Sequence, residues 1–206
     1  MRMNETEKEL IDMVLSGRTE AFEPLVTPHR DRLLALATRL TRNREEALEV
    51  AQEALLRAFR SLGRFDVSRS FRNWLFQIAA NEARDRYRKR ARERAAFNEL
   101  VDRSPSATTG LSARTGSSAT TGSAAAGPEA GHDRRELRAG IMRSLAALGP
   151  REREVFVLRD LEELDIRETS RVLGCSEISV RVNLSSARRK LREAIRRDLP
   201  HLEEKR

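Results

Sequence analysis

Residues 165–191 read DIRETSRVLGCSEISVRVNLSSARRKL, and two helices meet inside them. Asp165 followed by Glu168 is a capping box. The Asp165 carboxylate accepts from a backbone N–H of the first turn while Glu168 reaches back, so a helix starts there and turns Val172 and Leu173 inward. Gly174 ends it, and Ser176 is a good N-cap for the next helix. In that second helix Val180, Leu184, Ala187, Leu191 and Ala194/Ile195 fall on one face at helical spacing. This is a helix-turn-helix, a unit that lays the N-terminal part of its second helix in a DNA major groove. The competing reading of the segment alone is a plain three-helix bundle with a charged exterior.

Working outward, charge agrees with a nucleic-acid partner. The 206 residues carry a net charge of +8, and the excess is mostly arginine, whose fork suits phosphates and guanine edges. Membrane surfaces attract the same charge, but no apolar run approaches the roughly 20 residues of a spanning helix and no charged-then-apolar leader opens the chain. No membrane insertion and a cytoplasmic location are expected. A single cysteine, Cys175, excludes an intramolecular disulfide and is expected to be a small buried turn residue. His29, His132 and His201 offer no metal-ligand spacing, so neither metal nor cofactor is expected.

From Ser104 to Gly131 every residue is Ser, Thr, Gly, Ala or Pro except Leu111, Arg114 and Glu129. Nothing there can bury a core, which reads as a flexible linker. Charge alternates with leucine and alanine on either side, and no strand-like alternation stands out. The expected fold is all-α. Two small helical domains, at 1–101 and 132–206, are joined by a Ser/Thr/Gly/Ala linker at 102–131.

In the first domain Leu10, Ile11, Val14 and Leu15 begin an apolar stripe that Phe22, Leu25 and Val26 continue after Gly17. A helix with Leu33, Leu36, Ala37 and Leu40 ends near Asn43. The next, from Arg44 to Leu62, is expected to bury Ala47, Val50, Ala51, Ala54, Leu55, Ala58 and Phe59 and to stop at Gly63. It displays Glu45, Glu46, Glu49, Gln52, Glu53, Arg57 and Arg60 outside that face, a mixed surface suited to a partner helix. After the loop 64–70, a helix holds Phe71, Trp74, Leu75, Ile78 and Ala79 inward. It then becomes basic from Arg84 to Arg94. Aromatics beside arginines suit unstacked bases, because a ring stacks a base while guanidinium groups hold phosphates. Trp74 and Phe71 as core residues, with the arginines merely solvated, is the competing reading.

Three blocks, Gln52–Phe59, Arg64-Phe65-Asp66 and Phe71–Ala79, resemble region 2 of the extracytoplasmic-function sigma factors of bacterial RNA polymerase. Leu148–Val155 and the helix-turn-helix ending in Ala187–Leu191 resemble region 4 of the same family, in the same order. The resemblance implies a four-helix region 2 and a helix-turn-helix region 4. It implies that Glu49, Gln52, Glu53 and Arg57 dock on the clamp coiled coil of core RNA polymerase, with the flap as a second contact. Phe65, Asp66, Ser68 and Arg69 would capture a flipped base of the −10 element, which must offset a few kcal/mol of unstacking. Asn73, Trp74, Asn81, Arg84, Asp85 and Arg88 would hold neighbouring nucleotides. Glu177, Ile178, Ser179, Arg181, Val182, Ser185, Arg188 and Arg189 would face the −35 duplex. An anti-sigma partner and a monomeric state without partners are implied as well.

Departures from the family pattern fall in the recognition helix. Val182, Ser185 and Ser186 are less basic than the family pattern, and Ile178 and Val182 lie one turn apart where they can touch thymine methyl groups. Glu168-Thr169-Ser170 replaces the usual Glu-Ile-Ala, which leaves the seating of the first helix open. The nearly uncharged linker departs too. A stand-alone operator-binding regulator is the alternative function, and the Phe65–Arg88 strip is what a duplex-only regulator has no use for. No paired carboxylates in a pocket, nucleophile–base pair or phosphate-cradling glycine loop suggests an enzyme or a catalytic residue.

Overall fold

The computed structural model describes residues 5–102, 140 and 142–198, so the expected linker lies almost wholly outside the described residues. The fold is all-α in two helical units, with no strand among the described residues. The first unit comprises α1 (Glu5–Leu15), α2 (Phe22–Val26), α3 (Arg30–Thr41), α4 (Arg44–Ser61) and α5 (Phe71–Asp102). The second comprises a helical stretch at 142–146, α6 (Pro150–Phe156), α7 (Ile166–Leu173) and α8 (Glu177–Asp198).

Local chemistry sets most of the ends. Gly17, at φ +100°, closes α1, with Arg18 N–H donating to Met13 O at 3.0 Å, the long bond of a Schellman cap. Asn43 Oδ1 accepts from Glu46 N–H at 3.1 Å and starts α4. The helix-turn-helix forms as its sequence dictates. Glu168 N–H donates to Asp165 Oδ1 at 2.6 Å, and Asp165 N–H donates to Glu168 Oε2 at 3.0 Å. Gly174 takes the left-handed conformation, and Ser176 Oγ accepts from Ser179 N–H at 3.2 Å.

Several expectations need correction. Gly63 does not stop α4: the helix tightens into a 3₁₀ turn, Leu62–Arg64, and Gly63 is not among the residues with positive φ. Leu15 and Phe59 were expected inward but are 54% and 39% exposed. Phe59 lies at the edge of the core, edge-to-face with Phe22 at 5.1 Å. Cys175 is half-buried rather than buried, with its carbonyl accepting from Ser170 Oγ. That bond gives the unusual Ser170 a role in the turn. Thr169 is buried outright, and its hydroxyl has no hydrogen-bond partner among the described residues. A π-helical turn at Val157–Leu161, with no marker in the sequence pattern, continues α6.

The core of the first unit is built from Ile11, Leu25, Leu33, Leu36, Val50, Phe71 and Leu75, and that of the second from Leu145, Leu158, Leu164, Val180 and Ala187. The two units pack together. Helix α5 packs on α3 and α4 and also on α7, while α3 meets α6 and the π turn. Packing on more than one side explains why Asn73, Phe76 and Ala80 are buried beside the expected Phe71–Leu75–Ala79 line.

Candidate nucleic-acid interface

The loop between α4 and α5 is held by its own side chains. Asp66 Oδ1 accepts from Ser68 N–H at 2.9 Å, an Asx turn, and Arg69 N–H donates to Asp66 O at 3.0 Å. Hydrogen bonds from Ser68, and then the charge of Arg69, hold the exposed Asp66 carboxyl below its ordinary range. Ser70 Oγ accepts from Asn73 N–H at 3.3 Å and caps α5. Phe65 does not face outward as a stacking platform. It is 8% exposed and packs against Trp74 and Phe71, with centroids 4.8 and 5.7 Å away. An apolar ring beside a chain of aromatics gains more from burial than from solvent, which a linear reading of the loop cannot weigh.

Along α5, Asn73, Trp74, Gln77, Asn81, Arg84, Asp85 and Arg88 recur at spacings that keep them near one strip, about 22 Å from Asn73 to Arg88 at the helical rise. Asp85 and Arg88 are exposed, Trp74, Asn81 and Arg84 are half-buried, and Asn73 is buried. Arg69 Nη2 reaches Gln77 Oε1 at 3.4 Å, and Arg84 Nη1 donates to Asn81 Oδ1 at 3.1 Å. Tyr87, 47% exposed beside Arg88, is a further aromatic that fits the ring-beside-arginine pattern.

The second unit faces this strip with acids. Glu154 accepts both arms of Arg84, at 3.0 Å from Nε and 3.1 Å from Nη2. Asn73 Nδ2 donates to Glu168 Oε1 at 2.8 Å, and Gln77 Nε2 donates to Arg171 O at 3.5 Å. Ser68, Arg69, Ser70 and Asn73 share a cavity of about 150 Å³ with Glu168, Arg171 and Val172. Beyond the strip, Arg39 pairs with Glu162, whose carboxyl burial pushes up against the opposing pull of Arg39. Arg153 is buried and donates to Leu145 O, Leu148 O and, across the seam, Leu40 O at 3.3 Å. Burial, then the nearby charge of Arg42, pushes its guanidinium down to about 10, so it remains a cation at neutral pH.

On α8, Ile178 and Val182 are 70% and 63% exposed, and Arg181, Ser185 and Arg189 share that outer surface. Glu177 pairs with Arg181 at 3.2 Å and with Arg167 at 3.7 Å. Ser179 is half-buried, with its carbonyl accepting from Asn183 Nδ2 at 2.7 Å. Arg188, about half exposed, forks onto Asp160 of the π turn at 2.7 and 2.8 Å. Ser186 and Lys190 turn inward to Glu152 of α6, at 2.6 and 2.8 Å.

The α4 surface divides in two. Glu53 and Arg57 pair at 2.8 Å, Arg57 reaches Glu82 of α5 at 2.8 Å, and Arg86 of α5 links Glu82 to Glu49. Three of the four expected partner-binding residues are therefore compensated within the unit. Gln52 stands exposed between Leu48 and Leu56, each nearly half exposed, and these three share one face at i, i+4, i+8. Both leucines fall outside the inward line Ala47, Val50, Ala51, Ala54, Leu55 and Ala58, and that position is the signal in the sequence that marks them as surface.

Among the described residues no His/Cys/Asp/Glu group of three could hold a metal ion, and no helix is long and apolar enough to cross a membrane. Comparison with known proteins gives the same division of the chain. Residues 25–93 match the Sigma-70 region 2 family and residues 138–191 the Sigma-70, region 4 family. The chain is similar to the ECF RNA polymerase sigma factor SigW of Bacillus subtilis, 30% identical over 92% of this chain and 96% of that protein. It is 28% identical to the RNA polymerase sigma-H factor of Pseudomonas aeruginosa, over 95% of this chain and 96% of that one. Among solved structures it resembles CnrH in complex with the cytosolic domain of CnrY, with a TM-score of 0.64, 26% identity, and 94% and 99% of the two chains covered. With its two helical units, both family matches and a relative matched over nearly its whole length, the chain belongs to the extracytoplasmic-function sigma factors, which direct RNA polymerase to promoters.

Proposed function

We propose that the two faces read one promoter at two places, the outer face of α8 taking the −35 duplex and the loop–α5 strip taking the melted −10 strand. The carrying observation is that a chain this small builds two separate polar faces, one on a helix-turn-helix and one on a loop beside a basic helix. On α8 the reading rests on Arg181, Ser185 and Arg189, with Ile178 and Val182 against thymine methyls. At −10 it rests on Asp66, Ser68, Arg69, Asn73, Asn81, Arg84 and Arg88, with Trp74 and Tyr87 as the aromatic members.

Core polymerase docks on α4 through Leu48, Gln52 and Leu56, with Glu53 at the margin, since these leave apolar surface uncovered on an otherwise charged helix. Residues 1–101 and 132–206 act as the two working domains. The chain catalyses nothing itself, works in the cytoplasm where polymerase is, and is held by an anti-sigma partner. The solved sigma factor RpoE of Bartonella quintana, 21% identical, is in complex with the anti-sigma factor NepR.

Runoff transcription with core polymerase and a promoter library tests the reading. Promoter-specific products that require the chain are expected. Specific duplex binding with no effect on polymerase would favour a stand-alone regulator instead.

A further inference from the structure

One cavity at the seam between the units gathers cations and no acid. It measures about 210 Å³, and Arg42, Tyr87, Arg90 and Arg94 of the first unit line it together with Arg153 of the second. No carboxylate is among the described residues that line it. Arg90 is paired with Glu46, but the side chains of Arg42 and Arg94 have no hydrogen-bond or ion-pair partner among the described residues. Arg153 is 6% exposed and its three hydrogen bonds all end on neutral carbonyls, so its charge is buried without a paired carboxylate. Buried charges are ordinarily paired. Three uncompensated cations around one hollow repel each other, and the effect registers at Arg153, whose guanidinium is pushed below its ordinary range by burial first and by Arg42 second. Arg42 is also held at φ +59°, a left-handed position at the end of α3 that glycine takes with less strain.

We infer that this cavity is a binding site for a small polyphosphate, a pyrophosphate-type group held between Arg42 and Arg94 of one unit and Arg153 of the other. Guanidinium forks match phosphate oxygens through paired charge-assisted bonds. The size decides against a large ligand, because pockets for drug-sized molecules begin at about 300 Å³. Charge sets the number of phosphates. One phosphate monoester carries about −1.5 to −2 at neutral pH, short of the three uncompensated cations, and two linked groups supply the balance. Arg153 still has donors to offer: of its five N–H groups the three carbonyls take three, which leaves two for a ligand. A DNA backbone presents the same phosphate chemistry, but its phosphates are single charges spread along a strand rather than gathered into one hollow. The site is complete only with both units present, because Arg153 alone comes from the second. Arg42, Arg94 and Arg153 are not among the residues assigned above to promoter or polymerase, so the site stands or falls independently of those assignments.

The test is isothermal titration calorimetry of the full chain with inorganic pyrophosphate, in about 0.15 M salt to screen diffuse surface attraction. One saturable site per chain is expected, and inorganic phosphate should bind more weakly. Saturating pyrophosphate should also raise the thermal midpoint, since only the folded chain holds the ligand. Arg42→Asn/Arg94→Gln removes two of the three cations, and asparagine tolerates the left-handed turn. It should weaken pyrophosphate binding by at least about tenfold, a loss that charge-assisted bonds readily account for. The charge-matched Arg18→Gln/Arg192→Gln, at exposed positions elsewhere, should leave binding nearly unchanged. Thermal unfolding without ligand checks that each variant folds. No saturable binding to the wild type, or equal losses in the two double variants, overturns the site, and phosphate binding as tightly as pyrophosphate overturns the two-phosphate reading. If pyrophosphate fails to bind while Arg42→Asn/Arg94→Gln weakens promoter DNA binding more than Arg18→Gln/Arg192→Gln does, the cavity serves a strand phosphate and the small-ligand site falls.

Discussion

Glu168 serves two helices at once, one oxygen closing the cap of α7 and the other holding Asn73 of α5. The first of these roles was legible in the sequence, because Asp165 and Glu168 are three residues apart and a cap is local chemistry. The second was not, since nothing in the spacing says which helix lies opposite. The neighbouring Thr169 is the opposite case, a polar residue with no polar task in the fold. Its buried hydroxyl has no partner among the described residues, so Thr169→Val removes a desolvation cost while keeping the branched shape. The variant is expected to be more stable by about 1 kcal/mol, read as a higher urea midpoint with unchanged slope. A lower midpoint would mean that the hydroxyl is satisfied after all.

At the scale of elements, α8 shows why a charged helix is hard to orient from sequence. Its apolar line is unambiguous, but the arginines and lysine around it divide between solvent and neighbours according to where α6 and the π turn lie. Arg188 and Lys190 are held by Asp160 and Glu152 of the neighbouring elements, Arg181 pairs with Glu177 of its own helix, and Arg189 is exposed. The same holds for α4, whose charged flank is spent on α5. Glu152 is the central clamp between α6 and α8. Bonds from Lys190 and Ser186, helped by Gly149 N–H, push its carboxyl down to about 2 from 4.5. A depressed carboxyl stabilises the fold fully above 4.5, and the contribution fades as pH falls from there towards 2. Glu152→Ala is expected to cost about 2 kcal/mol near neutrality and to flatten the stability profile across that acid range. Thermal unfolding of both chains as a function of pH checks this, and parallel profiles would count against the clamp.

For the whole molecule, the all-α class and the two units follow from composition and periodicity, and the site residues from a resemblance. The docking of one unit on the other follows from neither. Its contacts join residues about 70 to 120 positions apart, such as Arg84 with Glu154 and Arg39 with Glu162. Promoter reading at two places predicts a separable defect. Arg69→Ala removes a loop cation whose side chain makes a long hydrogen bond to Gln77, so the fold should survive. It is expected to reduce initiation several-fold on duplex promoters and to be largely rescued by a template already melted at −10. Equal losses on both templates would assign Arg69 to grip rather than to opening.

Arg153 decides how firmly the two units are joined. Its guanidinium spans the seam, yet two of its three carbonyl acceptors, Leu145 O and Leu148 O, lie in its own unit. When the units part, the bond to Leu40 O is lost but the charge keeps its other partners, and water can take the vacated place. At Arg153, separation would strand no ion in an apolar surface, the event that makes buried pairs costly to break. Arg153 therefore ties the second unit together first and the seam only second.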